Sequence, residues 1–170
     1  MNTKNQKGFL SLIPAIVIGL VAIGGGVVAT SQNAIPGNVL YGLKNATEKI
    51  RTVLSFTHSE KAKTHLSITL EKLEEIERLR SQKDPAQHIS AAAESLKKHQ
   101  DAAIEEFNQL NSKNQNSSDI INKLQINSEQ QQIVLVDLLN KVPEAAKQGI
   151  QNAIDSSIKG LQKAQEVHNK

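Results

Sequence analysis

No charged residue occurs between Lys7 and Lys44, and this feature constrains the chain more than any other. Residues 9–29 within that span are almost all Leu, Ile, Val, Ala and Gly. A helix of these 21 residues would be about 31 Å long, which is the thickness of the hydrocarbon core of a bilayer. Lys4 and Lys7 precede the run, so the positive-inside rule places the N-terminus in the cytoplasm. The sequence therefore predicts a single-pass signal anchor in the cytoplasmic membrane, with the C-terminal domain extracytoplasmic.

Two other fates of this segment are open. Small residues before the Ala29–Thr30 junction, after three consecutive glycines, fit a cleaved signal peptide and a secreted domain. The same region also resembles the leader junction of type IV prepilins, which would be cut here between Gly8 and Phe9. The acidic residue that pilins carry five positions into the mature chain is replaced by Ile13. N-terminal sequencing of the mature protein distinguishes the three fates.

Beyond residue 38, apolar residues recur at alternating steps of three and four, the spacing of one helix face. Four aromatic residues and nine glycines argue against a strand-rich fold. The residues expected to face the core are Val39, Leu43, Ala46, Ile50 and Val53; Ala62, Leu66, Thr69, Leu73, Ile76 and Leu79 or Arg80; Ile89, Ala93, Leu96, Gln100, Ala103, Phe107 and Leu110; Ile121, Leu124, Gln131, Leu135, Leu138 and Val142; and Ala146, Ile150, Ala153, Ile154, Ile158, Leu161 and Ala164.

The fold class predicted is all-α, with an N-terminal transmembrane signal-anchor helix followed by an elongated antiparallel bundle of about four to five helices. Polar residues 111–118 are expected to form a loop within the bundle. The predicted organisation is a cytoplasmic N-terminus at 1–7, a transmembrane anchor at 8–30, a linker and turn at 31–38, and an extracytoplasmic helical bundle at 39–168.

Local signals predict where several helices begin. Ser59 is expected to be the N-cap of the second helix. Asp84 is expected to cap the third helix, with Pro85 at its first position, and Pro143 to precede the last helix. Residues 127–132 are polar all round, so a break or bend in the fourth helix is expected there.

The charged and histidine residues show no pattern of a known chemistry. Basic residues number 20 against 17 acids, but along the helices their signs alternate, which excludes a nucleic-acid-binding face. His58 and His65 could share a helix face, yet no acid completes a ligand set, so the five histidines are expected at the surface. Glu105 and Glu106 are likewise expected in solvent. With no cysteine, no phosphate loop and no Gly-x-Ser-x-Gly turn, we expect no enzyme, no cofactor and no metal site.

Residues 36–48 resemble the opening signature of a bacterial family of unknown function, Pro-Gly-x-x-Leu-Tyr-x-Leu-Lys-x-x-x-Glu. The resemblance continues to residue 80 and returns at 133–165, and it departs at Gly42 and Asn45, where family members often carry Pro and a basic residue. It implies a helical, membrane-tethered protein with no assigned activity. The signature residues, expected to be structural, are Pro36, Gly37, Leu40, Tyr41, Leu43, Lys44, Glu48, Pro143 and Gly160.

Physical roles can be predicted for two pairs of signature residues and for one glycine. Pro36 and Gly37 would turn the chain as it leaves the bilayer. Lys44 and Glu48 are spaced for an i,i+4 ion pair, which is worth about 0.2–0.5 kcal/mol when it is exposed. Gly160 in mid-helix costs about 1 kcal/mol relative to Ala, so a close helix contact is expected there.

The function expected from the sequence is that of a membrane-tethered extracytoplasmic helical domain, structural or protein-binding in role. Its partners would be the bilayer, through Phe9–Ala29, and another protein of the cell envelope, and it would expose an apolar stripe for that protein. One alternative is a pilin-like or secreted assembly subunit processed near Gly8–Phe9 or Ala29–Thr30. The other is a periplasmic metal or stress sensor that uses the histidines.

Overall fold

The computed structural model describes residues 39–113 and 117–168, which belong to one compact unit. It describes side chains for residues 46–113 and 117–167. The predicted anchor, the linker, Pro36 and Gly37 therefore lie outside the described residues.

All of the described secondary structure is helical, which confirms the all-α prediction, and no strand occurs in the described ranges. Five helices follow one another: α1 Val39–Val53, α2 His58–Ser81, α3 Ala86–Ser112, α4 Ser118–Leu139 and α5 Glu144–His168. Within these ranges, no helix has the length and apolar character needed to cross a membrane.

The start of α2 is fixed by Thr57 rather than by the predicted Ser59. Thr57 Oγ1 accepts a hydrogen bond from the Glu60 backbone N–H at 3.1 Å, and the Glu60 carboxylate accepts one from the Thr57 N–H at 3.0 Å. These hydrogen bonds lower the pKa of Glu60. The prediction was wrong because a capping box needs Glu or Gln three residues after the cap, and Ala62 stands there relative to Ser59.

The start of α3 also differs from the prediction. Pro85 occupies the N-cap position and α3 begins at Ala86, so Asp84 does not cap the helix. The Asp84 carboxylate instead contacts Nδ1 of His88. The fixed φ of Pro85 and the absence of its N–H suit it to a helix start, which explains why the break itself was predicted correctly.

The four long helices form a ring in the order α2, α3, α5, α4. The helices α2 and α5 stand at opposite corners, and α3 and α4 touch little across the centre. The short α1 packs against α2 outside the ring. The link from α3 to α4 therefore crosses a diagonal of the bundle.

Two of the neighbouring helix pairs are parallel, which corrects the prediction of a purely antiparallel bundle. Along α2 and α4, Lys63 pairs with Asp119 and, further on, Thr69 bonds to Asn127. Numbering likewise rises in step along α3 and α5, where Gly149 lies beside Ser90 and Ser156 bonds to Asp101. Helices that follow each other in sequence are antiparallel, but the diagonal link brings α2 beside α4 and α3 beside α5.

The core follows the predicted stripes on α2, α3 and α4. On α5 the stripe is buried except for Ile158, which is 39% exposed, and the half-buried Leu161. One large cluster of the core consists of Ala62, Leu66, Ala103, Ile104, Phe107, Leu110, Ile120, Ile121, Leu124 and Ala164. The stripe predicted for α1 was wrong, because Ala46, Ile50 and Val53 are exposed.

The polar stretch at 127–132 does not break α4, which is continuous from Ser118 to Leu139. Its buried side chains join a set of hydrogen-bonded residues across the bundle centre, called here the polar layer. Asn127 Nδ2 donates to Leu66 O at 2.9 Å, and Gln131 Nε2 donates to Gln100 Oε1 at 2.9 Å. Internal partners therefore replace the solvent that a bend would have admitted. The polar layer consists of Thr69, Gln100, Asn127, Ser128 and Gln131.

Candidate functional site

Three buried charged residues meet where α1 lies on α2, and they are called here the charged cluster. Lys72 of α2 is completely buried, with its Nζ 2.9 Å from Oε1 of Glu48 on α1. The same Nζ donates to Oε2 of Glu75, one helical turn further along α2, at 3.2 Å. Burying charges is costly unless they are paired, so the geometry of this cluster requires α1 to be in place.

Other described contacts of α1 and the turn after it with α2 are also polar. Arg51 Nη1 lies 2.7 Å from Oε1 of Glu71, and its Nη2 donates to Ser67 Oγ at 3.1 Å. The hydroxyls of Ser55 and Thr64 are 2.9 Å apart. In the described half of α1, Glu48 and Arg51 therefore face the protein while Ile50 and Val53 do not, which is the reverse of the predicted orientation.

Two histidines continue the charged cluster towards α3. Nδ1 of His65 lies 2.8 Å from Nδ1 of His99, and the two ring centroids are 5.1 Å apart. Such a contact requires one Nδ1 to donate and the other to accept, so the two rings cannot both be positively charged imidazolium ions. On its other side, His99 Nε2 is 3.9 Å from Oε2 of Glu48. This histidine pair links α2, α3 and α1.

Burial disfavours the charged form of both histidines. It lowers the pKa of His99 to about 4, with the charges of His65 and Lys72 acting in the same direction. Burial also lowers the pKa of His65, against the opposing charge of Glu106. The expectation that all five histidines are at the surface was therefore wrong for this pair.

A third histidine, His58, forms a partly buried contact at the start of α2. Its Nδ1 lies 2.6 Å from the Glu106 carboxylate, and its Nε2 lies 2.9 Å from Nζ of Lys113. An ammonium can only donate, so Nε2 accepts and Nδ1 carries the proton donated to Glu106. Glu106 thus has a protein partner, which corrects the expectation that it is simply solvated.

The arrangement as a whole suits structural pairing. The buried cation is shared by two carboxylates, and the histidine rings hydrogen-bond to each other. Within residues 46–113 and 117–167, no three His, Asp or Glu side chains are grouped so that they could hold a metal ion. The bonds that Glu48, Arg51 and Ser55 make to α2 hold α1 on the bundle and are called here the polar clamp.

Glu48 forms an ion pair with the buried Lys72, and only 6% of Glu48 is exposed. The predicted i,i+4 pair with Lys44 involves a side chain outside the described part and stays a prediction. Lys44 belongs to α1, as do Leu40, Tyr41 and Leu43, but the side chains of these four lie outside the described part. Glu48 is thus part of the charged cluster, whereas neither Pro143 nor Gly160 is a member of it.

Gly160 lies against the polar layer. A Cβ built on Gly160 would be 2.2 Å from Gln100 Nε2 and 2.6 Å from Ser128 Oγ. Pro143 directly precedes α5, where it was expected, and the Ala146 N–H donates to its carbonyl at 2.9 Å.

Sequence reasoning missed Lys72, the central residue of the charged cluster. One signal was present: position 72 lies three residues after Thr69 and four before Ile76, both on the predicted apolar stripe. A second signal was that Glu48 is the first acid in the chain and the next is Glu60, so Glu48 is the one acid that α1 can offer to a buried cation. The pairing of Lys72 with Glu48 could not be predicted without the orientation of α1, and the sequence pattern had placed Ala46, Ile50 and Val53 in the core instead of Glu48.

These features define a class of protein: a helical bundle whose apolar core encloses a polar layer and a buried charged cluster, with a short helix held against its side. A comparison with protein-family models matches residues 33–145 to a domain of unknown function, DUF5667. The chain belongs to this family. The match includes residues 81–132, which the sequence resemblance had left out, and it ends before Gly160. Comparisons with curated proteins and with solved structures gave no match.

Proposed function

We propose that the chain is a membrane-tethered, extracytoplasmic helical domain that binds another protein of the cell envelope and catalyses no reaction. The tether is the uncharged run at 9–29, preceded by Lys4 and Lys7. Its length matches a hydrocarbon core, and its flanking charge orients the N-terminus to the cytoplasm.

The paired interior supports a binding role rather than a catalytic one. Catalytic acids and bases need access to a substrate and a pKa matched to proton transfer. Here Lys72 is enclosed by two carboxylates, and His99 is held neutral beside His65. Such groups stabilise one arrangement of helices and leave recognition to the outer surface.

The observation that carries the binding proposal is a row of exposed aliphatic residues along α4, called here the α4 row. Ile126, Ile133 and Val136 are 52%, 56% and 51% exposed. Their steps of seven and three residues put them on one side of the helix, where they fit the apolar face of a partner helix. The exposed Glu129 lies between them in sequence, so the partner helix is expected to carry a basic border.

Topology can be tested with engineered cysteines, since the natural chain has none. Lys159→Cys should react in intact cells with a maleimide that cannot cross the cytoplasmic membrane, because α5 would lie outside. Thr3→Cys should react only after permeabilisation. Reaction of Thr3→Cys in intact cells, or protection of Lys159→Cys, would contradict the proposed orientation, and recovery of the domain from the medium would favour the secreted alternative.

The binding role can be tested at the α4 row. A photo-crosslinking side chain at position 133 should yield a discrete adduct with an envelope protein in living cells. With that protein purified, Ile133→Asp should weaken binding about tenfold or more, as expected for an apolar contact at the centre of an interface. The matched control is Ile158→Asp, an exposed isoleucine on α5, which should leave affinity unchanged. Equal weakening by both variants, or by neither, would contradict the assignment of the row.

A further inference from the structure

Over its described side chains, the second half of α1 directs its large apolar residues away from the bundle. Ile50 and Val53 are 57% and 76% exposed, and Leu54 and Phe56 in the following turn are 62% and 84% exposed. These four residues are called here the α1 patch. A run of large apolar side chains at this exposure marks a surface that contacts something other than water.

The bundle cannot cover this patch by a rotation of α1. Turning the apolar face inward would withdraw Glu48 from the buried Lys72 and Arg51 from Glu71. The Lys72 ammonium would then be left in the interior without one of its two carboxylates. The polar clamp therefore fixes the α1 patch on the outside.

The charge that α1 exposes beside the patch is basic. Lys49 is exposed on the same side of α1, whereas Glu48, the one acid of Val39–Val53, is buried against Lys72. The exposed Glu60, whose carboxylate accepts a hydrogen bond from the Phe56 N–H, adds one negative charge at the far end of the patch. An apolar face with a basic border is the character of helices that lie in the interface of an anionic membrane.

The chain also brings α1 within reach of a bilayer. Only residues 31–38 separate Thr30, the last residue of the proposed anchor, from the start of α1, and eight residues extend to at most about 29 Å. The α1 patch lies at the end of α1, a helix of 15 residues that is about 22 Å long. With so short a connection to the anchor, α1 would remain within reach of the membrane surface.

We propose that the α1 patch inserts into the headgroup–acyl boundary of the bilayer, so that α1 lies along the membrane and its polar clamp holds the bundle there. This inference rests on the proposed tether, and it adds a second membrane contact made by the domain itself. A second copy of the chain is the competing occupant, and the test separates the two.

The test uses the full chain in vesicles of phosphatidylcholine with phosphatidylglycerol, carrying a single fluorescent label. One variant is labelled at Val53→Cys in the α1 patch. The matched control is labelled at Ile158→Cys, an exposed aliphatic position on α5, diagonally across the bundle from α2. The label at position 53 should lose quenching by iodide in the water and gain quenching by lipids carrying a nitroxide. The label at 158 should keep full iodide quenching.

The outcomes distinguish this inference from the tether. If the chain resists an alkaline wash of the vesicles but position 53 is quenched by iodide as strongly as position 158, the α1 patch does not touch the bilayer while the tether stands. If the wash removes the chain, the tether is wrong and the inference falls with it. Efficient disulfide formation between two copies of the unlabelled Val53→Cys variant would assign the patch to a second copy and overturn the inference. Deeper burial with phosphatidylglycerol than with phosphatidylcholine alone is the result expected from the basic border.

Discussion

Glu48 Oε1 of α1 lies 2.9 Å from Lys72 Nζ of α2, and both side chains are inside the protein. The second carboxylate of the cluster, Glu75, lies 3.2 Å from the same ammonium. A pair of this kind contributes little net stability compared with apolar packing, but the loss of one member leaves the others uncompensated.

Lys72→Met should therefore lower the free energy of unfolding by about 3–5 kcal/mol, because it leaves two buried carboxylates without their cation. Lys63→Met is the matched control, since Lys63 pairs with Asp119 at the surface and should contribute no more than about 1 kcal/mol. Chemical denaturation of the purified chain, followed by far-UV circular dichroism, measures both. Equal effects of the two substitutions would mean that the charged cluster is not formed.

Acidification should destabilise the fold through His99, whose pKa falls from 6.5 to about 4 on burial. Between these two values the unfolded chain binds a proton that the folded chain does not, so stability rises with pH in this window. Going from pH 7 to pH 5 should cost about 2 kcal/mol, with the lowered pKa of His65 acting in the same direction. In the same denaturation experiment, the free energy of unfolding of the His99→Gln variant should depend less on pH across this range. An unchanged slope would show that His99 is not buried in its neutral form.

Gly160→Ala should destabilise the bundle by about 1–2 kcal/mol although Ala is the better helix former. The added methyl group would displace Gln100, whose Nε2 donates to Ser128 at 2.9 Å within the polar layer. Lys159→Ala, one residue earlier and exposed, is the control and should be neutral or slightly stabilising. Thermal melts of the two variants give the comparison, and a Gly160→Ala variant as stable as the parent would place the polar layer elsewhere.

Thr57→Ala should lower stability by about 1 kcal/mol, since it removes the side-chain half of the capping box of α2. Ser59→Ala, at the cap position favoured by the sequence, should have no measurable effect. The ratio of the two effects in denaturation measurements decides which residue caps the helix.

The long helices were predictable because their buried faces are apolar at a helical period. Leu66, Leu96 and Leu135 each stand on a stripe that the sequence shows and the structure buries. Pro85 and Pro143 similarly marked the ends of helices through backbone constraints that do not depend on tertiary packing.

The candidate site was not predictable by the same means, because its interior is polar. Asn127 and Gln131 look like solvent-facing residues until Thr69 and Gln100 are placed opposite them. On α1 the rule that the apolar face points inward failed outright, since Glu48 is buried while Val53 is exposed. Hydrophobic periodicity identifies the apolar face of a helix, but it does not show whether the bundle or another surface packs against that face.

The diagonal link between α3 and α4 divides the bundle into two helical hairpins, α2–α3 and α4–α5, docked side by side. A hairpin can begin to close at its turn, as where the Asp84 N–H donates to Leu79 O between α2 and α3. The parallel pairs between the hairpins have no such local start, since Asn127 is 58 residues from Thr69 and Ser156 is 55 residues from Asp101. Loop closure for the docking contacts is entropically more costly, so the hairpins are expected to form early and to join late during folding. Until they join, the polar layer is divided between them, and its side chains must exchange water for each other in the final step.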